Sequence, residues 1–230
     1  MNEIIQNISI YALPFILAVT LHETAHAWVA DKKGDSTARQ LGRISMNPLV
    51  HIDLFGTILI PLILLSTTGF MFGYAKPVPV NPHNLRRPKE DMAWVAAAGP
   101  GMNLVIAIVS GIFYRLLYSP NLFVGGSLFS DSSTTASFFL VPLLEMLKFS
   151  VFFNVLLMVF NLIPIPPLDG GRVLVGLLPA AQSRFVSRLE PYGMLVMVFI
   201  VFLDPFGLMR RIVWPLVGMV SSYIFGEMFI

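Results

Sequence analysis

The sequence predicts an all-α polytopic membrane protein with about five to six transmembrane segments, one re-entrant or broken segment, and short membrane-associated strands. Three observations carry that prediction. Of 230 residues, 56% are hydrophobic and only 12% charged, and the mean hydropathy is +0.76, far outside the range of soluble globular domains. The apolar residues gather in runs long enough to cross a bilayer as helices, which takes about 20 residues. Most of the 15 Lys and Arg fall in short loops between those runs rather than along a stripe. The net charge of +2 therefore reports membrane topology; the lipid bilayer is an expected partner and nucleic acid is not.

The first apolar run extends from Ile4 to Ala30 and stops at Asp31-Lys32-Lys33-Gly34-Asp35, a charged terminator containing glycine. Glu3 precedes it without a basic flank, so this run is expected to stay in the mature protein. Residues 36–53 mix polar residues with Gly42, Asn47 and Pro48 and lack a helical period, which suggests short strands or an irregular loop. Leu54 to Phe72 is apolar but interrupted by Gly56, Pro61 and Gly69, so it either spans or turns back. Gly73 to Asp91 is rich in proline and cations and cannot span. Its alternating Val78 and Val80 suggest an edge strand.

Met92 to Tyr118 is the next clear span, with small residues at Ala98-Gly99-Pro100-Gly101 that allow close helix approach. Ser119 to Ser137 reads as a loop, and Phe138 to Ile163 as another span carrying Asn154 and Asn161 on one face. Leu174 to Glu190 is amphipathic and suits the membrane interface. Tyr192 to Leu203 and Leu208 to Ile230 complete the apolar runs. The whole chain, 1–230, is expected to form one domain, with a core at 4–172 and C-terminal helices at 173–230.

The chemistry sits in the first run. His22 and His26 are four residues apart, on one face of a helix, and can share one metal ion, with Glu23 beside them as a proton acceptor. Ionisable groups within a bilayer-length run are costly and usually functional. The chain has no cysteine, so a zinc site must draw on His and carboxylate ligands. Asp169 is a third ligand from a second element. It follows Pro164, Pro166 and Pro167, where the helix must unwind, in backbone tolerable at membrane depth only if it lines a protein cavity. An N-cap role for Asp169 is the structural alternative. His51 and Asp53 compete as further ligands, against a plainer reading as interfacial polar contacts.

If His22, His26 and Asp169 hold one ion, the ends of their two spans lie at one depth, and an even number of crossings separates them. Three apolar segments intervene, so Leu54 to Phe72, shortest and broken by Pro61, is expected to be re-entrant. That arrangement puts 11 of the 15 basic residues on one side. By the positive-inside rule that side is cytoplasmic, leaving the N-terminus outside and the active site facing the cytoplasm of a multi-pass protein in the cell membrane. Two His and one carboxylate on zinc leave a position for water, the arrangement of zinc peptidases. Asn161 is placed to donate to a developing oxyanion or to hold a substrate strand, against an ordinary interhelical contact.

Three motifs, HETAH at His22 to His26, AGPGMN at Ala98 to Asn103 and FNLIPIPPLDGG at Phe160 to Gly171, resemble the site-2 protease family of intramembrane zinc metalloproteases, peptidase family M50. The resemblance runs in matching order from the first span to about Arg172. It implies His22, His26 and Asp169 as ligands of one Zn2+, Glu23 as general base, and a transmembrane protein or peptide cut within or beside its span, usually after another protease has removed the ectodomain. An opened substrate strand would pair with an edge strand of the enzyme. The chain leaves no room for the PDZ or CBS domains of many relatives and is similar to a compact bacterial or archaeal subgroup. Two other classes compete. A divalent-metal transporter would need ligands at several depths, whereas these gather at one; an inactive membrane-binding homologue would not need Glu23.

Overall fold

The computed structural model describes residues 2–60, 62–63, 76–118, 135–193, 195, 199–200, 204 and 207–226, without the side chains of 2–9, 58 and 135–138. Most of the Leu54 to Phe72 run, most of the Ser119 to Ser137 loop and of the Tyr192 to Leu203 run, and the last four residues lie outside them.

The first apolar run forms α1, Asn2–Lys33. Its end is set by chemistry. Gly34 adopts φ +116, a left-handed conformation costly for any side chain. The Gly34 and Asp35 amides close the last turn onto the Asp31 and Ala30 carbonyls at 3.2 and 2.9 Å. Lys32 and Lys33 in that turn suit the helix dipole. After a short helix α2, Thr37–Gln40, the chain runs irregularly through 3-10 turns at Pro48–Val50 and Pro82–Asn84. Asp35 fastens this region by accepting from the Thr37 amide at 3.1 Å, the Asn81 amide at 2.7 Å and the Asn84 side chain at 3.0 Å. Burial opposes its ionisation, yet these bonds win and hold its carboxyl below the ordinary value.

Helix α3, Pro88–Tyr118, begins with proline at its first position, where a missing amide costs nothing. Asp91 accepts the Arg87 amide at 2.8 Å and pairs with Lys33 at 3.0 Å. Helix α4 covers Thr135–Asn161. It ends where Pro164 begins a proline-rich turn that no helix can continue. Helix α5, Asp169–Leu177, and α6, Ala180–Ser187, divide the run expected to be one amphipathic element. Leu178, ahead of Pro179, is extended at ψ 151, as residues before proline prefer. Helix α7 is Trp214–Phe225.

The contacts define two compact units. The first comprises Met1–Ala18, Asn103–Phe160 and Met197–Ile230. It is apolar and aromatic, with Tyr11 on Phe149 and Phe15 on Phe153 at ring separations of 4.8 and 5.1 Å. A chain of buried polar groups joins its helices. The Asn103 carboxamide donates to Asn154 at 2.8 Å, Asn154 to the Ser150 carbonyl at 2.8 Å, and the Ser110 and Ser150 hydroxyls meet at 2.8 Å. The Asn103–Asn154 and Ser110–Ser150 bonds run between α3 and α4, and a bond of this kind between membrane helices stabilises by about 0.6–2 kcal/mol. The second unit comprises Val19–Met102 and Asn161–Val196 and holds every proposed metal ligand.

Two helices, Pro88–Tyr118 and Phe139–Asn161, are long and apolar enough to cross a membrane by length and composition. No strand occurs among the described residues, which corrects the expected membrane-associated strands. Residues 76–80 form no ladder: the Lys76 amide donates to the His51 carbonyl at 2.9 Å and the Val78 amide to a side-chain carboxylate at 2.9 Å, while Pro77 and Pro79 have no amide to offer. Leu54–Leu59 forms a π-helical turn capped by Asp53, so the broken character read from Gly56 begins at the first residue of that run.

Candidate metal centre

The C-terminal half of α1 supplies His22 and His26 one turn apart, as their spacing requires. Asp169 comes from the first residue of α5, not from an N-cap, a position taken by Leu168. Two glycines make this possible. A Cβ on Gly170 would fall 2.3 Å from the Leu162 carbonyl oxygen, and one on Gly171 would fall 2.4 Å from the Pro166 nitrogen. Only Gly-Gly lets the proline turn fold back over the start of α5 and carry Asp169 inward.

The ligand atoms converge. His22 Nε2 and His26 Nε2 are 3.0 Å apart, and Asp169 Oδ2 lies 3.2 Å from the first and 3.4 Å from the second. Donors held at about 2.0–2.2 Å on a tetrahedral Zn2+ lie roughly 3.3 Å from one another, so this spacing fits the ion without rearrangement. All three residues are buried, and Asp169 Oδ2 has no hydrogen-bond partner of its own, an expensive state unless a cation satisfies it. His26 Nδ1 lies 2.7 Å from the Val95 carbonyl oxygen of α3. A carbonyl only accepts, so Nδ1 carries the proton and Nε2 presents its lone pair.

Gly99 of α3 opens the space. A Cβ there would sit 2.4 Å from His26 Nε2 and 2.6 Å from His22 Nε2, in the volume where the donors face one another. From sequence Gly99 reads as a site of close helix approach; its place in AGPGMN, a second motif alongside HETAH, is the signal for more.

Glu23 follows His22 on α1, and its Oε2 accepts the Val78 amide at 2.9 Å. That contact was not legible beforehand, because its partners are 55 residues apart. His51 and Asp53 are not brought to the centre. His51 is buried, with Nε2 3.0 Å from the Ser45 carbonyl oxygen; burial, aided by the charge of Arg43, pushes its ring below its ordinary value and favours the neutral form. Asp53 caps the π-helical turn, accepting the Phe55 and Gly56 amides at 3.0 and 2.7 Å. Asn161 closes α4 in a half-buried position, eight residues before Asp169. Among the described residues, His22, His26 and Asp169 are the one group of His, Asp or Glu arranged for a metal.

Comparison with known proteins points the same way. Residues 10–203 match the family model described as peptidase family M50. The chain is 34% identical over 206 residues to the candidate zinc metalloprotease YwhC of Bacillus subtilis, covering 90% of this chain and 84% of that one. It is 25% identical over 184 residues to the candidate zinc metalloprotease Rip2 of Mycolicibacterium smegmatis, covering 80% of this chain and 63% of the relative. Against Rip2 of Mycobacterium tuberculosis H37Rv the identity is 25% over 191 residues, covering 83% and 65%. No solved structure matches the chain significantly.

Proposed function

This chain belongs to peptidase family M50, and from that premise we propose that it is an intramembrane zinc endopeptidase. In this reading it hydrolyses peptide bonds in or next to transmembrane segments of membrane-protein substrates, as a step of regulated intramembrane proteolysis. The protein is a membrane zinc metalloprotease by family. The convergence of His22 Nε2, His26 Nε2 and Asp169 Oδ2 is the observation that supports hydrolysis at this site.

His22, His26 and Asp169 would hold Zn2+, which when bound would supply a Lewis acid able to acidify water to a pKa of about 7 and polarise a carbonyl. The remaining work belongs to the chain. Glu23 takes the proton from the attacking water and delivers it to the leaving amine. The Val78 amide fixes one Glu23 oxygen and leaves the other for that transfer. The Val95 carbonyl orients His26, as outer partners of metal-bound imidazoles do. Asn161 donates to the developing oxyanion or steadies the substrate strand. A helical substrate must unwind first, because its amides are engaged in their own hydrogen bonds. The enzyme is multi-pass in the cell membrane, with Leu54 to Phe72 re-entrant, the site toward the cytoplasm and the N-terminus outside, a topology supported by the distribution of Lys and Arg.

The test is cleavage of a transmembrane peptide by purified protein, with and without a zinc chelator, and with Glu23→Gln. Cleavage is expected to stop in both cases. Survival of either change would remove the mechanism, and zinc flux across proteoliposomes dependent on His22 would favour a transporter.

A further inference from the structure

Arg43 is buried but makes no ion pair among the described residues. Its guanidinium serves backbone instead. Nη1 donates to the Val50 carbonyl, and Nη2 donates to the carbonyls of Lys76 at 2.7 Å and Pro77 at 3.2 Å. The Lys76 amide in turn donates to the His51 carbonyl at 2.9 Å. Burying a cation is costly, and here the return is a fixed position for two consecutive carbonyls.

The next residue is Val78, whose amide donates to Glu23 Oε2 at 2.9 Å. Pro77 and Pro79 flank it. Each proline locks its own φ and confines the residue before it to extended backbone, so Lys76 through Pro79 has little freedom to absorb a displacement. Whatever sets the Lys76 and Pro77 carbonyls therefore also sets the Val78 amide.

We propose that Arg43 is a positioning residue for the catalytic base: by clamping the Lys76 and Pro77 carbonyls it keeps the Val78 amide on the Glu23 carboxylate. The proposal rests on Glu23 being the base. Arg43 bonds to the Val50, Lys76 and Pro77 carbonyls and to none of His22, His26 and Asp169, so its loss leaves metal binding intact and slows the chemical step. A merely structural knot would, when cut, lower the amount of folded, zinc-loaded enzyme without acting through Glu23.

The experiment measures kcat, KM and zinc content with a transmembrane peptide substrate for wild type, Arg43→Gln, Arg43→Lys, Val78→Pro, Glu23→Asp and the double variant Arg43→Gln with Glu23→Asp. Misplacement of a catalytic group by about 1 Å costs on the order of 100-fold, so Arg43→Gln is expected to lower kcat by about 10–100-fold. KM should stay within about twofold, since ground-state binding is untouched, and zinc should remain at wild-type content. Val78→Pro removes the amide without touching Arg43 and should reproduce the loss. Arg43→Lys should recover part of the rate, because an ammonium can reach one carbonyl but not both. The double variant should be no slower than Glu23→Asp, because both changes disable the same group.

Multiplicative losses in the double variant, or full kcat in Val78→Pro, would overturn the clamp. Should Arg43→Gln fail to fold, Val78→Pro alone and combined with Glu23→Asp decides by the same criteria. Wild-type cleavage by Glu23→Gln would instead overturn the assignment of the base on which the clamp rests.

Discussion

Among the described residues, two of the buried polar clusters are built on opposite principles. In the first unit, Asn103, Asn154, Ser110 and Ser150 meet one another or a helix carbonyl at 2.8 Å, a donor for each acceptor. In the second, two imidazole nitrogens and a carboxylate oxygen face one another at 3.0–3.4 Å, and Asp169 Oδ2 has no hydrogen bond. A matched network holds helices together; a buried carboxylate oxygen without a hydrogen bond, set beside two imidazole nitrogens, makes a place for a cation. Satisfaction, rather than polarity or burial, separates packing from function here.

The sharpest way to break that distinction is to delete a ligand. Asp169→Ala or His26→Ala is expected to reduce zinc from about one per chain to background and to abolish cleavage, as measured by metal analysis of purified protein. Next comes the space between the donors. Gly99→Ala should weaken zinc binding by about 10–100-fold in competition with a chelator. Gly101→Ala, where an added Cβ meets nothing within 4 Å, should bind as wild type. Equal affinities for the two variants would mean that Gly99 does not shape the site.

The matched network should respond in the other currency. Asn154→Leu removes the Asn103–Asn154 and Asn154–Ser150 bonds and is expected to cost about 1–3 kcal/mol of stability, seen as earlier thermal unfolding in detergent, with zinc content unchanged. Loss of zinc in this variant would erase the contrast between the clusters.

The smallest effect concerns the irregular region. The Asp35 carboxyl is held below its ordinary value of 3.8 by Thr37, Asn84 and Asn81. A depressed folded value means its contribution to stability is fully present above that pH and fades as pH falls through the lower folded value. Metal-free Asp35→Asn should therefore unfold earlier than wild type near neutral pH, with the gap narrowing below about pH 4. A gap that widens with acid would contradict the assigned bonds.

Much of this was legible in the sequence because it is local or chemically forced. The HETAH spacing fixes two candidate ligands on one helix face. Pro164, Pro166 and Pro167 end α4 and put Asp169 beyond a turn. What was not legible depends on long-range backbone contact. The alternation of Val78 and Val80 suggested a strand, but Pro77 and Pro79 lack the amides a ladder needs, and the Val78 amide is spent on Glu23. The Leu174 to Glu190 periodicity concealed a break, since amphipathic spacing continues through Leu178 and Pro179 while the backbone does not. His51 and Asp53 have the residue types of ligands, yet a carbonyl and a turn claim them first.

The most direct test of a three-ligand zinc centre with a separate base pairs zinc stoichiometry with cleavage in Glu23→Gln and Asp169→Ala. The expected result is one zinc per chain and no cleavage for Glu23→Gln, and neither zinc nor cleavage for Asp169→Ala. A Glu23→Gln protein that still cuts, or an Asp169→Ala protein that keeps its zinc, would contradict it.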